Sequence, residues 1–328
     1  MGMLVNGRWR VDDVRHTAEG EFIHTDSRIR NWITADGEPG PTGEGGFRAE
    51  PNRYHLYVSP ACPFAHRTIV LREIKGLTEL ISASGVNPYK GEQGWTFEPA
   101  PGVSGDPLLG ARFLYQIYTH AEPTYTGRVT VPVLWDRKRE TIVSNDSGDI
   151  MRMFNSAFDD LGAIPGDLFP DSLRAEIDRL SRELHEAVNL GVYRAGFART
   201  QSAYEAAVTT LFEFLGQLED TLSKQRYLCG NRVTGVDWQL FTTLVRFDPV
   251  YYVHFKCNRR RLVDFPNLWA YTRELYQQPR VSRTVDIAQI KAHYYQSHRH
   301  LNPLGLIPVG PEIDFQIPHH RTRESASG

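Results

Sequence analysis

An apolar repeat limits the second half of this 328-residue chain to helical structure. Its apolar residues follow one another at intervals of four, three, four and four, at Leu173, Ile177, Leu180, Leu184 and Val188. This spacing places the side chains on one face of an α-helix over 172–190. Similar helical patterns recur at 202–224, 234–247 and 267–278. We therefore expect the second half to be an all-helical domain.

The first half carries short β-prone runs on either side of a helical segment. A run at 54–58 ends at Ser59-Pro60, and a helical segment that starts with Pro63 continues to Gly76. Further β-prone runs lie at 81–86, 129–136 and 141–144. The last two predict a hairpin, and a helix is expected to begin near Ser147. The predicted order is βαβ followed by ββα.

Three further stretches show little periodicity. Residues 1–50 are rich in Gly, Pro and charge and predict an extension that wraps a core or is partly loose. Residues 87–128 predict a long loop, and loops of this length are often functional. The proline-rich segment from Asn302 is expected to be extended and to pack across the surface or a neighbouring subunit. The expected extension, α/β domain, helical domain and tail are 1–50, 51–160, 165–300 and 301–328.

The composition argues against several kinds of partner. Hydrophobic residues make up 41% and charged residues 23% of the chain, as in ordinary globular proteins, and the formal net charge is -2. This charge provides little attraction to nucleic acid or to an anionic membrane. The sequence shows neither an apolar run of about 18 residues nor a signal-peptide core, so a cytoplasmic location is expected.

Cys62 is the candidate nucleophile among three cysteines. It lies in the segment SPACPFAHR, at the expected start of a helix, where N–H groups and the helix dipole favour a thiolate. His66 and Arg67 are candidates for additional positive potential. The alternative is a small buried cysteine, which is the interpretation we prefer for Cys229 and Cys257. The three are too few and too scattered for a disulfide framework or a zinc site.

Two neighbouring features extend this site. Pro132 interrupts a β-prone run, and in a thiol-redox domain such a proline is cis and places the backbone of Val131 beside the sulfur. The turn SNDSGD precedes a helix whose N-terminus is able to bind a carboxylate at Ser147. Helix capping by Asp146 or Ser147 explains the same residues equally well.

These segments together resemble the Xi class of glutathione transferases, the glutathionyl-hydroquinone reductases. CPFAHR resembles the CPWAHR loop of that class, and the VPVL strand, the polar turn and the helical second half follow it in the order of a glutathione transferase. Further class-like blocks are GWTF at 94–97, NLGVYRAGF at 189–197, RFDPVYYVHFKCN at 246–258, IKAHYYQSH at 290–298 and NPLGLIPVGP at 302–311. The resemblance implies an α/β plus all-α fold: an N-terminal thioredoxin-like βαβ–ββα domain followed by an all-helical C-terminal glutathione-transferase domain.

The resemblance implies a role for each matching residue. Cys62 is the implied nucleophile, and Tyr193 and Tyr294 are implied to take part in the catalytic step. The residues implied to bind glutathione are Trp95, Arg128, Val131 through its backbone, Asp146 and Ser147. The residues implied to bind the quinol hydroxyls are Tyr193, Tyr251 and Tyr294. The adjacent Tyr252 and Tyr295 are alternatives for two of these.

Two segments, the cysteine loop and the polar turn, depart from the pattern of the class. Phe64 replaces the usual Trp of the loop, which removes an N–H donor. Asp146 and Gly148-Asp149 stand where the class usually has ESAE or ESSE, which shortens the carboxylate expected to meet the glutathione amine. Glutathione is therefore the implied cosubstrate, with another low-molecular-weight thiol as the alternative. No metal is expected, because the histidines near the C-terminus lack a known ligand spacing.

The implied activity is the reduction of glutathionyl-hydroquinones through a mixed disulfide between Cys62 and glutathione. Ala65 stands where a resolving cysteine would lie, so a second glutathione must release the first. The expected partners are glutathione, aromatic quinol conjugates and a second copy of the chain, without nucleic acid or membrane. Two alternatives stay open: an Omega-like thioltransferase or dehydroascorbate reductase that does not need Trp95, and a non-catalytic transferase-fold protein.

Overall fold

The computed structural model describes residues 2–12 and 15–321 of the chain. Two compact units are present. The first comprises 1–167 with 284–308, and the second comprises 168–283 with 309–328. The domain limits expected from the sequence stay predictions.

The secondary structure has the predicted order, with strands and helices in the first half and helices in the second. The strands are β1 (Gly2–Val5), β2 (Arg8–Val11), β3 (Tyr54–Val58), β4 (Ile81–Gly85), β5 (Gly127–Arg128), β6 (Val133–Asp136) and β7 (Thr141–Ser144). The α-helices are α1 (Pro63–Ile74), α2 (Leu114–Ala121), α3 (Ser147–Ser156), α4 (Arg174–Leu184), α5 (Gly191–Phe197), α6 (Gln201–Leu222), α7 (Gly235–Leu244), α8 (Tyr252–His254), α9 (Pro266–Tyr276) and α10 (Ile287–Ser297). Helices α4 to α9 lie in the second unit, and the other elements lie in the first.

A four-stranded mixed sheet in the order β4-β3-β6-β7 forms the centre of the first unit. Strand β3 is parallel to β4 and antiparallel to β6, and the predicted hairpin is confirmed as β6 and β7. All five residues of β3 are buried, as expected for a central strand. This strand leads directly into the loop that carries Cys62.

Local signals define both ends of α1. Pro63 starts the helix because its ring presets the helical φ and its missing N–H is not needed in the first turn. Gly76 follows the C-cap with a φ of 67°, a left-handed conformation that favours glycine. The predicted strand–loop–helix arrangement around Cys62 is therefore confirmed.

The N-terminal residues contain a hairpin that the sequence did not predict. Strand β1 pairs antiparallel with β2 on one side and with β5 on the other, and Leu4 is fully buried. The following residues wrap the sheet unit as expected, since Ile33 and Phe47 are buried and the Asn31 N–H donates to the carbonyl of Val143 in β7 (2.9 Å). The first strands of the stretch 1–50 therefore belong to a sheet, and its assignment as an N-terminal extension stays a prediction.

The stretch 87–128 is not the continuous loop that was predicted, because it contains α2 and β5. Gln116 fixes the start of α2, where its Oε1 accepts the N–H groups of Arg112 (2.8 Å) and Phe113 (2.9 Å). The helix spans only two turns. So short a helix shows little periodicity in a stretch rich in glycine and proline.

Helix α7 forms the centre of the second unit, and all ten of its residues are buried. The predicted capping box at its start is confirmed, with the Thr234 N–H donating to Asp237 Oδ2 (2.7 Å). Asp237 Oδ1 accepts two further bonds, from the Leu228 N–H (3.0 Å) and the Tyr271 hydroxyl (2.8 Å). One carboxylate thus connects α7 to the preceding loop and to α9.

The single helix predicted over 172–190 is instead divided. Helix α4 ends at Leu184, and a π-helical turn over His185–Asn189 precedes α5. Asn189 explains the wider turn, because its Nδ2 donates to Thr243 Oγ1 (2.8 Å) and its Oδ1 accepts from Gln239 Nε2 (3.0 Å). These bonds to α7 are tertiary, and an apolar repeat does not show them.

The C-terminal segment is extended, as predicted, and its residues after 321 lie outside the described part of the chain. Phe315 is buried and packs on α9, with ring centroids 5.5 Å from Trp269 and 5.1 Å from Tyr276. Gln277 Nε2 donates to the Phe315 carbonyl (2.8 Å). Part of the tail therefore packs on its own chain.

Candidate active site around Cys62

Cys62 occupies the N-cap position of α1, which is the predicted placement. Its N–H donates to the Ser59 carbonyl (3.0 Å), and its carbonyl accepts the His66 N–H (2.8 Å). The turn and the first helical bond thus hold the cysteine backbone from both sides. The side chain is partly exposed at a helix end where N–H groups and the positive end of the dipole stabilise a thiolate.

The Val131-Pro132 peptide bond is cis, as predicted for a thiol-redox domain. The Val131 carbonyl oxygen lies 3.8 Å from Cys62 Sγ, and Val131 immediately precedes the proline that leads into β6. The structure therefore brings together two residues that are 69 positions apart in the sequence. Pairing of the Val131 backbone with a bound peptide stays a prediction.

The two candidates for additional positive potential, His66 and Arg67, contact other side chains. His66 is buried, and its Nε2 lies 2.9 Å from Thr284 Oγ1. The Arg67 guanidinium packs over the ring of Phe64 at 5.0 Å, and the ring of His24 stacks on Phe64 at 6.3 Å. His24 is a neighbour of the loop that the sequence analysis missed, because it lies in the N-terminal stretch without periodicity.

Trp95 lies in a stacked group of the first unit. The Trp95 side chain is buried, and its ring stacks on His293 of α10 with centroids 4.8 Å apart. The Lys90 Nζ lies 5.2 Å from the centre of the Trp95 ring. Burial lowers the pKa of Lys90 to about 8, while the charge of a Cys62 thiolate acts in the opposite direction. Lys90 was not predicted as a site residue.

Arg128 lies on β5, where it pairs with the N-terminal hairpin. Its Nη2 forms an ion pair with Asp12 Oδ2 at 3.0 Å, and its Nη1 donates to the Gly2 carbonyl (3.4 Å). On the same hairpin, Trp9 Nε1 donates to the Glu92 carbonyl (2.9 Å), three residues before Trp95. The hairpin therefore contacts both stretches that carry the predicted glutathione ligands Arg128 and Trp95.

Asp146 caps α3, so the capping interpretation is confirmed for this residue. Its Oδ1 accepts the Asp149 N–H (3.0 Å), and Ser147 is the first residue of the helix. Asp149 forms a bidentate pair with Arg30, at 2.6 and 2.7 Å. Desolvation raises the pKa of Asp149, and the bonds from Arg30 oppose this shift. Binding of glutathione by Asp146 and Ser147 stays a prediction.

Two of the predicted quinol-binding tyrosines lie together in the second unit. The Tyr193 and Tyr251 rings are 6.2 Å apart, and Phe255 contacts both, at 5.3 and 5.6 Å. Tyr251 is fully buried, whereas Tyr193 is partly exposed. Tyr294 is buried on α10 of the first unit, where His293 lies 5.0 Å away. The common role of the three tyrosines stays a prediction.

Their neighbours Tyr252 and Tyr295 differ in burial. Tyr252 is partly exposed, and Tyr295 is buried, which raises the pKa of its phenol to about 12. Within residues 2–12 and 15–321, His, Cys, Asp and Glu form no group able to hold a metal ion. Over the same residues, every helix is too short or too polar to span a bilayer.

Family models of the glutathione S-transferases match both halves of the chain. The model described as "Glutathione S-transferase, N-terminal domain" matches residues 61–157, which include Cys62, Trp95 and Asp146. The model described as "Glutathione S-transferase, C-terminal domain" matches residues 201–274. The two matched regions have the α/β and all-helical structures described above.

Full-length relatives make the match more specific. The chain is 53% identical to the glutathionyl-hydroquinone reductase YqjG of Escherichia coli K12, over 98% of both proteins. The glutathione-bound structure of YqjG superposes with a TM-score of 0.91 at 52% identity, over 98% of this chain and 99% of that one. A Xi-class transferase from Natrialba magadii superposes with a TM-score of 0.89 at 42% identity, over 97% of this chain and 96% of the other. The chain therefore belongs to the glutathionyl-hydroquinone reductases, the Xi class of the glutathione transferase family.

Proposed function

We propose that this protein reduces glutathionyl-hydroquinones to hydroquinones with glutathione as the electron donor. The observation that carries the proposal is the position of Cys62, at the N-terminus of α1 and 3.8 Å from the carbonyl beside the cis proline. A sulfur at a helix N-terminus is suited to react as a thiolate. The name and the bound glutathione of the Escherichia coli relative supply the substrate class.

The proposed reaction has two thiol-exchange steps. In the first, the Cys62 thiolate attacks the sulfur of the conjugate, an S–S bond forms and the carbon–sulfur bond breaks. The electron pair of the broken bond stays on the aromatic carbon, which takes up a proton, and hydroquinone leaves. In the second, a glutathione thiolate attacks the glutathione sulfur of the mixed disulfide and releases oxidised glutathione with the Cys62 thiolate. The two electrons come from two glutathione sulfurs, so no other reductant is needed.

The second glutathione is required because the loop holds one sulfur. Ala65 stands three residues after Cys62, where a resolving cysteine would lie. Cys229 and Cys257 are buried, and desolvation raises the pKa of both thiols. Neither thiol is therefore suited to release the mixed disulfide.

The proposed binding roles follow the matching residues. Trp95 packs on the bound glutathione. The polar groups of glutathione bind to Arg128, the Val131 backbone, Asp146 and Ser147. The quinol hydroxyls meet Tyr193, Tyr251 and Tyr294, because a phenol both donates and accepts hydrogen bonds. Tyr193 and Tyr294 are proposed to supply the proton for the aromatic carbon.

A homodimer in the cytoplasm is the proposed working form. Support for a dimer comes from exposed apolar side chains near the C-terminus, where the exposed fraction is 79% for Leu304 and 100% for Val309. Light scattering coupled to gel filtration measures the mass of the assembly. A mass equal to that of one chain across the micromolar range would contradict the dimer.

Purified protein, a glutathionyl-hydroquinone and glutathione test the proposed activity. We expect one hydroquinone and one oxidised glutathione for each conjugate consumed, measured by liquid chromatography. Absence of both products would contradict the proposal. Much faster reduction of dehydroascorbate would instead support an Omega-like thioltransferase. The mass of the adduct on Cys62 after incubation with mixed cellular thiols identifies the cosubstrate.

A further inference from the structure

Strand β2 of the N-terminal hairpin has one side chain that is partly buried, that of Trp9. The other three residues of the strand, Arg8, Arg10 and Val11, are exposed. The backbone of β2 pairs with β1, so the hairpin bonds themselves do not connect β2 to the rest of the first unit. The packing of Trp9 therefore determines which neighbouring segment this strand supports.

The indole of Trp9 lies on the turn 91–94, which comes directly before Trp95. A backbone bond closes this turn, with the N–H of its last residue donating to the carbonyl of its first (3.0 Å). Trp9 Nε1 donates to the Glu92 carbonyl within the turn (2.9 Å). The indole also covers Gly94 so closely that a β-carbon at this glycine would lie 2.8 Å from Cη2. One polar and one apolar contact of Trp9 thus fix the backbone that continues into Trp95.

The same indole contacts the start of α2, the helix that also holds Trp95. The rings of Trp9 and Tyr115 stack with centroids 5.0 Å apart and planes at 20°. One residue before Tyr115, the Leu114 N–H donates to the Trp95 carbonyl (2.9 Å). Trp9 therefore packs both on the turn that precedes Trp95 and on the helix that is bonded to its backbone.

The position of the Trp95 ring depends on its backbone. A tryptophan side chain has two rotatable bonds, so a fixed backbone leaves few positions for the ring. The Trp95 ring is buried and stacks on His293 at 4.8 Å. A ring that is held in place before its ligand arrives costs less free energy to order on binding.

We infer that Trp9 is a positioning residue for glutathione: it holds the turn 91–94 so that Trp95 is in place before glutathione binds. The inference rests on the proposed function in taking Trp95 as a contact of glutathione. It concerns affinity for the glutathionyl group and no reacting atom. If Trp9 served the stability of the hairpin alone, its replacement would lower stability without lowering this affinity.

Calorimetric titration of glutathione into the Cys62→Ala protein tests the inference, because this protein forms no mixed disulfide and the titration needs no quinol. Trp9→Phe in this background removes the indole N–H and keeps an aromatic ring. An ordinary hydrogen bond corresponds to about a fivefold change in affinity, so we expect W9F to raise the Kd for glutathione about fivefold. An unchanged Kd would overturn the inference.

Trp32→Phe is the matched control for the loss of an indole bond. Trp32 Nε1 donates to Thr42 Oγ1 (2.8 Å), and both residues belong to the first unit. The W32F variant should lose thermal stability to a similar extent as W9F and keep the parent Kd. An equal rise of the Kd in W32F would overturn the inference, because any loosening of the first unit would then have the same effect.

A double-mutant cycle tests whether Trp9 acts through Trp95. In a Trp95→Ala background the W9F change should leave the Kd for glutathione unaltered, because the ring that Trp9 positions is absent. A full fivefold effect in this background would overturn the inference, since Trp9 would then act on glutathione by another route.

If W9F does not fold, as judged by circular dichroism, Tyr115→Leu decides. This variant removes the ring on which Trp9 stacks and should raise the Kd about twofold or more, and an unchanged Kd would overturn the inference. Failure of the proposed function gives a different result. If the quinol conjugate is not reduced while W9F still weakens glutathione binding, the proposed function fails and the inference stands. If the parent protein does not bind glutathione, both fail.

Discussion

Cys62 and Cys257 carry the same thiol in opposite surroundings. Cys62 lies partly exposed at a helix N-terminus, and its Sγ is 3.8 Å from the Val131 carbonyl oxygen. Cys257 is fully buried two residues after Phe255, and desolvation raises the pKa of its thiol well above the ordinary value. The two thiols therefore differ in exposure and in their position relative to a helix end, the features that control how readily a thiol ionises.

The side chains near the two cysteines also differ between the two units. In the first unit, the helix that follows Cys62 carries the polar side chains of His66 and Arg67. Around Cys257, the second unit places an aromatic cluster that includes Tyr251 and Phe255. Charged groups favour thiol exchange, whereas aromatic faces favour an aromatic substrate.

Replacement of Cys62 is the strongest test of this contrast. We expect Cys62→Ala to reduce turnover of a glutathionyl-hydroquinone to the uncatalysed rate, because no other thiol is placed to form the mixed disulfide. Enzymes typically accelerate their reactions by about a millionfold or more, and most of that gain depends on the nucleophile. Cys257→Ala is the matched control and should retain turnover. Activity that persists in C62A and disappears in C257A would reverse the assignment.

Selective alkylation is the second test. Because the pKa of Cys229 is raised to about 11, roughly one Cys229 thiol in 10⁴ is ionised at pH 7. Brief treatment with iodoacetamide at pH 7 should therefore label Cys62 at least about a hundredfold faster than Cys229 or Cys257. Peptide mass spectrometry after partial labelling measures the three rates. Comparable labelling rates of Cys62 and Cys229 would show that burial does not make the reactivities of the two thiols differ.

The parts of this site that the sequence predicted are those with a local cause. Pro63 and Gly76 mark the ends of α1 in the sequence itself, so the position of Cys62 at a helix N-terminus could be predicted. The proline inside a β-prone run likewise identified the cis bond after Val131. Proline restricts the backbone around it, and glycine permits the left-handed conformation in which a helix ends.

The parts that the sequence did not predict depend on contacts between distant residues. Strand β2 is exposed at three of its four positions, so its sequence lacks the alternation of buried and exposed residues that identifies a strand. Its strand conformation depends on pairing with β1. Lys90 is one of many lysines and arginines until its Nζ is seen over Trp95. The bond from Lys90 to Ser297 joins residues 207 positions apart, which no local pattern reveals.

Acidification tests whether a buried histidine of the first unit lowers the free energy of unfolding. His55 is buried on β3, the strand that leads to Cys62, and desolvation lowers its pKa to about 4. Below about pH 6.5 the unfolded chain binds a proton at this histidine and the folded chain does not. Stability therefore falls as the pH drops from about 6.5, and the loss levels off below about 4. At about pH 4.5 we expect a loss of roughly 2–3 kcal/mol from this residue.

The His55→Gln variant isolates this contribution. Glutamine does not titrate and is able to keep a hydrogen bond to Ser82, whose Oγ lies 2.7 Å from His55 Nδ1. Urea unfolding of both proteins at neutral pH and at about pH 4.5 gives the difference in unfolding free energy. The variant should lose less stability than wild type on acidification. Equal losses would show that His55 is not the group responsible.

The smallest expected effect comes from the ion pair between Arg128 and Asp12. Both side chains are partly exposed, so their 3.0 Å contact contributes less than about 1 kcal/mol to stability. If Arg128 binds glutathione as proposed, Asp12→Asn should raise the KM for glutathione about threefold, because the guanidinium loses a carboxylate that orients it. Asp264→Asn is the matched control, since Asp264 pairs with Arg261 (2.8 Å) in the second unit and should leave that KM unchanged. A lower KM in D12N would mean that Asp12 competes with glutathione for Arg128.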